Sequence, residues 1–376
     1  MTLKQPIHLL CLLVLALSTN GLHAAGEKLQ NEMQTAARSL TQLMPFIYND
    51  SAFRDQKNQK AIEQNINSLI QVIEATPRLL NDHAITMQIS QQSLLTTLKQ
   101  AQSLYQSQAY ATSQYLLSGV PVVCSSCHIQ DGRPSAVNLS LDRSEFANDY
   151  SFAEFNYYLR NYQQAQSAYE HYLKEPAIQR SRIQSRKTLE RLLDITLITR
   201  KDTQPAKTML DQALQLQQLN LETKQVIQHW LTGLVQLSFS APTLAQLETE
   251  IYQAFSEQFT LEHEFIFKEE NRPKALLWRQ QLHQTLRTKL SRNDTARALY
   301  LLSILERALG DQIDLSLAHL YLKECIHLKA SPFSGKCLNE YENHLYFYYG
   351  GSSGEHLPPE ILEELNRLKQ QYQSDS

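Results

Sequence analysis

Residues 29–47 read Leu29-Gln30-Asn31-Glu32-Met33-Gln34-Thr35-Ala36-Ala37-Arg38-Ser39-Leu40-Thr41-Gln42-Leu43-Met44-Pro45-Phe46-Ile47. Leu29, Met33, Ala36, Ala37, Leu40, Leu43, Met44 and Ile47 recur every three or four positions, the period of an α-helix packed along one side. The stripe stops near Asn49-Asp50-Ser51, which predicts a turn. A second helix, roughly Lys60 to Ala75, carries Ile62, Ile66, Leu69, Ile70 and Ile73 and is closed by Pro77. A third, roughly Thr86 to Tyr105, uses Met87, Leu94, Leu98, Ala101 and Leu104. A fourth starts near Gln108 with Tyr115, Leu116 and Leu117, and Gly119 and Pro121 are expected to interrupt it. Four helices with short links predict an up-and-down bundle.

The rest of the composition agrees with a helical chain. The 10 glycines and 12 prolines are roughly 6% of the 376 residues, about half the average usage, so turns are few. The 35 basic and 38 acidic side chains leave a net charge of −3, without the basic excess of a nucleic-acid binder. A hydrophobic content of 42% with 19% charged residues excludes wholesale disorder. The overall expectation is an all-α fold in two parts.

Residues 1–25 read as a secretory signal peptide. Lys4 supplies the positive start, Ile7 to Leu17 an apolar run interrupted by His8, and Leu22-His23-Ala24-Ala25 a cleavage site with an unusual −3 position. An uncleaved N-terminal anchor is the alternative. Cys11 lies within the apolar run, not at the cleavage point. No other segment approaches a membrane span, so the mature chain is expected to be exported, most simply to a bacterial periplasm where disulfides persist.

Four cysteines then remain. Cys124-Ser125-Ser126-Cys127-His128 has the spacing that attaches c-type haem: two thiols one helical turn apart form thioethers to the vinyl groups, and the adjacent imidazole meets the iron. Neither a βαβ setting for a redox pair nor further ligands for zinc accompany it. Cys325 and Cys337 flank Ser331-Pro332-Phe333-Ser334-Gly335, a segment expected to break a helix so that its flanks run antiparallel. A disulfide between them is the preferred reading, and two free buried thiols the alternative.

The stretch from about 27 to 135, four helices with Cys124 to His128 at the end of the last, resembles the class II c-type cytochromes of the cytochrome c prime type. The resemblance implies one covalently bound haem c inside the bundle, with Cys124 and Cys127 as anchors and His128 as proximal iron ligand. Only the CxxCH is specific. Ile129-Gln130-Asp131-Gly132-Arg133-Pro134 replaces the basic and aromatic residues usual after the motif, and Pro121 precedes it, so the bundle end is expected to differ. In an up-down-up-down bundle the start of the first helix lies beside the end of the fourth. Met33 is therefore a candidate distal ligand, ahead of Met44, with a flexible core filler as the plainer reading. His83, in a connection, is a weaker candidate, read more simply as a loop residue or cap.

Residues 26–135 thus form the expected haem bundle, 136–149 a linker and 150–376 a helical domain. Phe152 to Tyr169 resembles a tetratricopeptide helix pair, with Asn161 and Tyr162 at the turn, Ala165 at the close approach, Tyr169 and Leu173 in the groove and Pro176 ending the unit. A looser copy places Leu192, Leu193, Ile195 and Leu197 on one helix and Ala206, Leu210 and Ala213 on the next. Further helices are expected over 222–239, 243–258, 273–290, 294–309, 312–328 and 336–347. Tyr157, Tyr158, Tyr162, Tyr169 and Tyr172 read mainly as core between helices. His263, His283, His319 and His344 lack paired ligand spacing and read as surface or satisfied core residues. The loop Gly350-Gly351-Ser352-Ser353-Gly354 reads as a connector, with an anion cradle as the alternative.

The functional expectation is a periplasmic mono-haem cytochrome carrying one electron. Its helical domain would dock a redox protein or a membrane-associated electron-transfer complex, or a second copy of the chain in a homodimer. A haem-based ligand sensor with an open iron site is the rival. No nucleophile, carboxylate pair or metal cluster points to an enzyme.

Overall fold

The apolar stripes translate directly into helices. The computed structural model describes residues 30–75, 85–131, 142–146, 148–159, 161–176, 182–240, 242–256, 268–309, 315–329, 331–349 and 356–373. Among them there are sixteen α-helices and no strand, so the fold is all-α. The first five are α1 (30–47), α2 (Asp50–Arg54), α3 (Gln56–Ala75), α4 (Ile85–Gln106) and α5 (Tyr110–Asp131). Helices α1, α3, α4 and α5 form the bundle. Leu40, Leu43, Met44 and Ile47 of α1 meet Ile62, Ile66, Leu69 and Ile73 of α3, Leu94, Leu98 and Ala101 of α4, and Leu117, Val120 and Val123 of α5, all buried. Each buried large aliphatic contributes about 1.5–3 kcal/mol relative to exposure.

Two expectations for this half need correction. The turn at Asn49 opens the extra short helix α2, because the Asn49 side chain accepts a hydrogen bond from the Ala52 backbone N–H. Helix α2 inserts Phe53 edge-on against Tyr105, ring centroids 5.1 Å apart, and the Tyr105 hydroxyl donates to the Phe53 carbonyl at 3.2 Å. The second correction concerns Pro121, which lies inside α5 and does not end it. A proline inside a helix costs about 3 kcal/mol. Here Leu117, Val120 and Val123 on either side are buried in the bundle, which offsets that cost.

The chain continues as helix pairs: α6 (Asp149–Tyr158), α7 (Tyr162–Tyr172), α8 (Arg182–Arg200), α9 (Thr203–Leu214), α10 (Leu221–Val235), α11 (Leu244–Ser256), α12 (Arg272–Leu286), α13 (Arg292–Leu309), α14 (Leu315–His327), α15 (Pro332–Tyr349) and α16 (Pro359–Gln373). Ala165 is fully buried where α7 meets its neighbours, and Tyr169, Leu173, Ala206, Leu210 and Ala213 are buried as the repeat pattern requires. Gly233 on α10 marks another close approach: a Cβ there would stand 1.9 Å from the Glu270 carbonyl oxygen, so only glycine fits. The helix expected to break around Ser331 to Gly335 does so, α14 ending at His327 and α15 starting within that segment. Pro332 opens α15, where a missing N–H costs nothing, and the Ser331 hydroxyl accepts from the Phe333 N–H at 3.2 Å.

The two halves share their packing. Phe155 and Leu159 of α6 join the bundle core, together with Phe146 just before α6. Tyr157 and Tyr158 of the same helix join the core of α7 to α10. From the other side, α4 packs against α14, and Ile89 of α4, 2% exposed, belongs to the core of α11 to α16. No helix among the described residues is long and apolar enough to cross a membrane.

Candidate functional site

Helix α5 carries Cys124, Cys127 and His128 in its last two turns, before Asp131 ends it. Positions 124, 127 and 128 stand one helical turn apart and fall on one face. The side chains of these residues lie outside the described residues, as do residues 1–29, His83, His263 and the Gly350–Gly354 loop.

Three contacts set what surrounds the motif. The Ser113 hydroxyl of α5 donates to the Ala101 carbonyl of α4 at 2.8 Å. Counting equal steps along these antiparallel helices puts Ile89 level with Ser125. The Gln114 side-chain amide donates to the Ile47 carbonyl of α1 at 2.8 Å, and the same count puts Met33 level with His128. Gln91 of α4 donates to the Ile73 carbonyl at 2.7 Å and brings the end of α3 to this end of the bundle. Met33 is half-buried there. The motif end is therefore formed by the starts of α1 and α4 and the ends of α3 and α5.

This end faces the rest of the molecule. At the level of the motif α4 enters the core of the C-terminal helices through Ile89, with Ile85 packed beside it, and α12 packs on both α4 and α5. On α12 stands His283, 2% exposed. Its Nε2 faces the Glu306 carboxylate at 3.7 Å, while its Nδ1 is buried without a hydrogen-bond partner among the described residues. A buried polar atom left without a partner costs about 1–3 kcal/mol. Burial acts to raise the Glu306 pKa, but Arg279 and His283 beside it outweigh that and hold the carboxyl below its usual range.

A line of buried charge runs from this point toward the bundle. Arg279 lies 3.8 Å from both Glu306 and Asp194, and the Tyr157 hydroxyl donates to Asp194. Glu154, 3% exposed, accepts from the hydroxyls of Tyr158 and Tyr169 and meets Arg191 at 3.4 Å and Lys187 at 3.7 Å. Arg191 also lies over the Tyr157 ring, 4.5 Å from its centroid. Burial pushes the Tyr157 and Tyr169 hydroxyls well above their ordinary pKa, and the neighbouring Asp194 and Glu154 carboxylates push the same way. Tyr48, at the end of α1, is within electrostatic reach of Glu154 and Arg191. The tyrosines are core residues as expected, but the carboxylates they bind are not legible from their sequence positions.

Two further clusters also join residues far apart in sequence. His319 of α14 and His344 of α15 share a hydrogen bond, Nε2 to Nδ1, at 2.6 Å. Burial comes first in pushing both pKa values down to about 3, and neighbouring positive charge adds to it, including Arg307 beside both. The two rings satisfy each other, in keeping with the reading of these histidines as surface or satisfied core residues. Asp149, His171 and Glu175 bring donor atoms within 4.8 Å of one another, but Asp149 is already engaged by Arg143 and His171. Cys325 and Cys337 are bonded, with sulfurs 1.99 Å apart and Cα atoms 6.1 Å apart.

No protein-family model matches the chain, and no curated protein and no solved structure is significantly similar to it. The donor set and its place at a bundle end therefore stand on their own chemistry.

Proposed function

We propose that this chain is an exported, periplasmic c-type cytochrome that holds one haem c and carries one electron. The observation that supports this most is the position of Cys124-Ser125-Ser126-Cys127-His128 on the last turns of α5, at the end of an apolar four-helix bundle. The donor set fits the group: Cys124 and Cys127 would hold the porphyrin covalently and His128 would bind the iron. When bound, the haem supplies a one-electron couple at its iron. The chain's own residues exclude water from it, through the buried Ile73, Val123 and Ile89 around the motif end. The C-terminal helix pairs supply the surface that docks a redox protein or a membrane-associated electron-transfer complex, or a second copy of the chain.

The test is expression in a bacterial host equipped for haem attachment. The expected result is a mass higher by one haem and a reduced c-type spectrum, both abolished by Cys124→Ala with Cys127→Ala. An unchanged mass overturns the reading. The entry of Ile89 of α4, level with the motif, into the core of the C-terminal helices also gives a route for a haem sensor to pass on its ligation state. A ferrous protein that binds carbon monoxide favours that rival over electron transfer.

A further inference from the structure

We propose that Asp149, His171 and Glu175, where the end of α7 meets the start of α6, form a binding site for one divalent transition-metal ion of the zinc class. The site does not depend on the haem reading above.

Three observations carry it. The first is convergence. Asp149 is the first residue of α6, and His171 stands in the last turn of α7. Beyond α7 the chain makes one more turn, in which the Glu175 N–H donates to the Tyr172 carbonyl at 3.2 Å, so Glu175 comes round to the side of His171. One donor atom from each residue lies within 4.8 Å of the other two. Atoms that share a zinc ion in a tetrahedron stand roughly 3.4 Å apart. The His171 side chain is 73% exposed, so it is free to close that gap and to leave room for water as a further ligand.

The second observation is how the buried ligand is held. Arg143 donates through Nε to Asp149 Oδ1, and its own Nη1 donates to the Phe146 carbonyl at 2.9 Å. This engagement takes one carboxylate oxygen and presents the other, Oδ2, to His171 Nδ1. Carboxylates that bind metals are oriented by outer partners in this way. The third observation is charge. Burial acts to raise the Asp149 pKa, but Arg143 and His171 outweigh it and hold the carboxyl below its usual range. Burial and then the Asp149 carboxylate push Glu175 up. Two carboxylates brought to one point are relieved by a cation, and the imidazole among them selects zinc and its neighbours over calcium and magnesium, which take oxygen ligands. Such an ion would tie α7 to α6, the helix that lies in both the bundle core and the core after it.

The experiment uses the full chain freed of metal, with Cys124 and Cys127 either carrying haem or alkylated so that neither binds metal. Zinc chloride is titrated in by calorimetry. The unmutated protein is expected to bind one zinc ion at this site, and His171→Ala and Glu175→Gln should each weaken that binding by at least about tenfold. Excess calcium should not displace the zinc. Bound zinc should also protect His171 from diethyl pyrocarbonate, mapped by mass spectrometry, which tests the site even if a variant fails to fold. A protein that binds no zinc, binding that both folded variants leave unchanged, displacement by calcium, or a His171 modified equally with and without zinc overturns the proposal, and Asp149 with His171 is then an ion pair alone. None of these outcomes bears on whether haem is attached.

Discussion

The bundle and the C-terminal helices bury different chemistry. Among the described residues of the bundle the buried polar side chains are small hydroxyls, Ser39, Thr41, Ser90, Ser93 and Ser113, set among aliphatic residues. In the C-terminal half they include Asp149, Glu154, Asp194, Arg272, His283 and His344. A bundle needs only matched apolar stripes, because four helices around one axis close on each other in few ways. Stacked helix pairs could slide along one another, and buried charges that match at one register alone oppose sliding. The two halves thus reach a defined structure by different means, one by shape and the other by electrostatic pairing.

The strongest test of that contrast is Glu154→Ala. It removes the buried carboxylate shared by Arg191 and the Tyr158 and Tyr169 hydroxyls, and should cost about 3–5 kcal/mol in urea unfolding. Leu98→Ala in the bundle should cost a similar 2–5 kcal/mol by the other route, a cavity. The contrast breaks if the Glu154 variant loses less than about 1 kcal/mol.

Next in size is the covalent link. Reducing Cys325–Cys337, twelve residues apart, should lower stability by about 3 kcal/mol, and alkylation should then add mass at both thiols. Stability unchanged by reduction would show that α14 and α15 hold each other without it.

Acid sharpens the comparison further. His319 and His344 have folded pKa values pushed down to about 3 from an ordinary 6.5, so the folded state binds fewer protons than the unfolded chain between those limits. Their contribution is complete above pH 6.5 and is lost as pH falls toward 3. At pH 5 the loss should be on the order of 2 kcal/mol for each histidine, about 4 kcal/mol for the pair. His344→Phe should flatten the pH dependence of the melting temperature over that range, and an unaltered slope would show that other groups set it.

The smallest expected effect is Ser113→Ala in the bundle. Removing the bond to the Ala101 carbonyl should cost about 1 kcal/mol. A loss several times larger would mean that the bundle, too, depends on its polar contacts.

The helical periodicity of the chain was legible because it is local. Ile62 to Ile73 mark α3, and Ala165, Tyr169 and Ala206 mark the first helix pairs, from spacing alone. The disulfide was legible because twelve residues and one turn leave two antiparallel flanks close together. Pro121 misled because its local preference to end a helix is outweighed by the burial of its neighbours in the bundle. The break between the two cysteines was legible, since α14 ends at His327 and α15 begins at Pro332, and only the early start of α15 was not. The charged contacts were not legible at all. Glu154 and Arg191 are 37 residues apart, so only the packing of α6 on α8 relates them.

Helix α6 has a bearing on how the chain folds. Since Phe155 and Leu159 complete the bundle core from one side of α6 while Tyr157 and Tyr158 fill the next core from the other, the bundle cannot close until residue 159 has emerged in synthesis. A fragment ending at residue 135 would carry an open apolar face and would tend to associate. The intact chain should instead melt in one cooperative step, because neither half can unfold without uncovering the other.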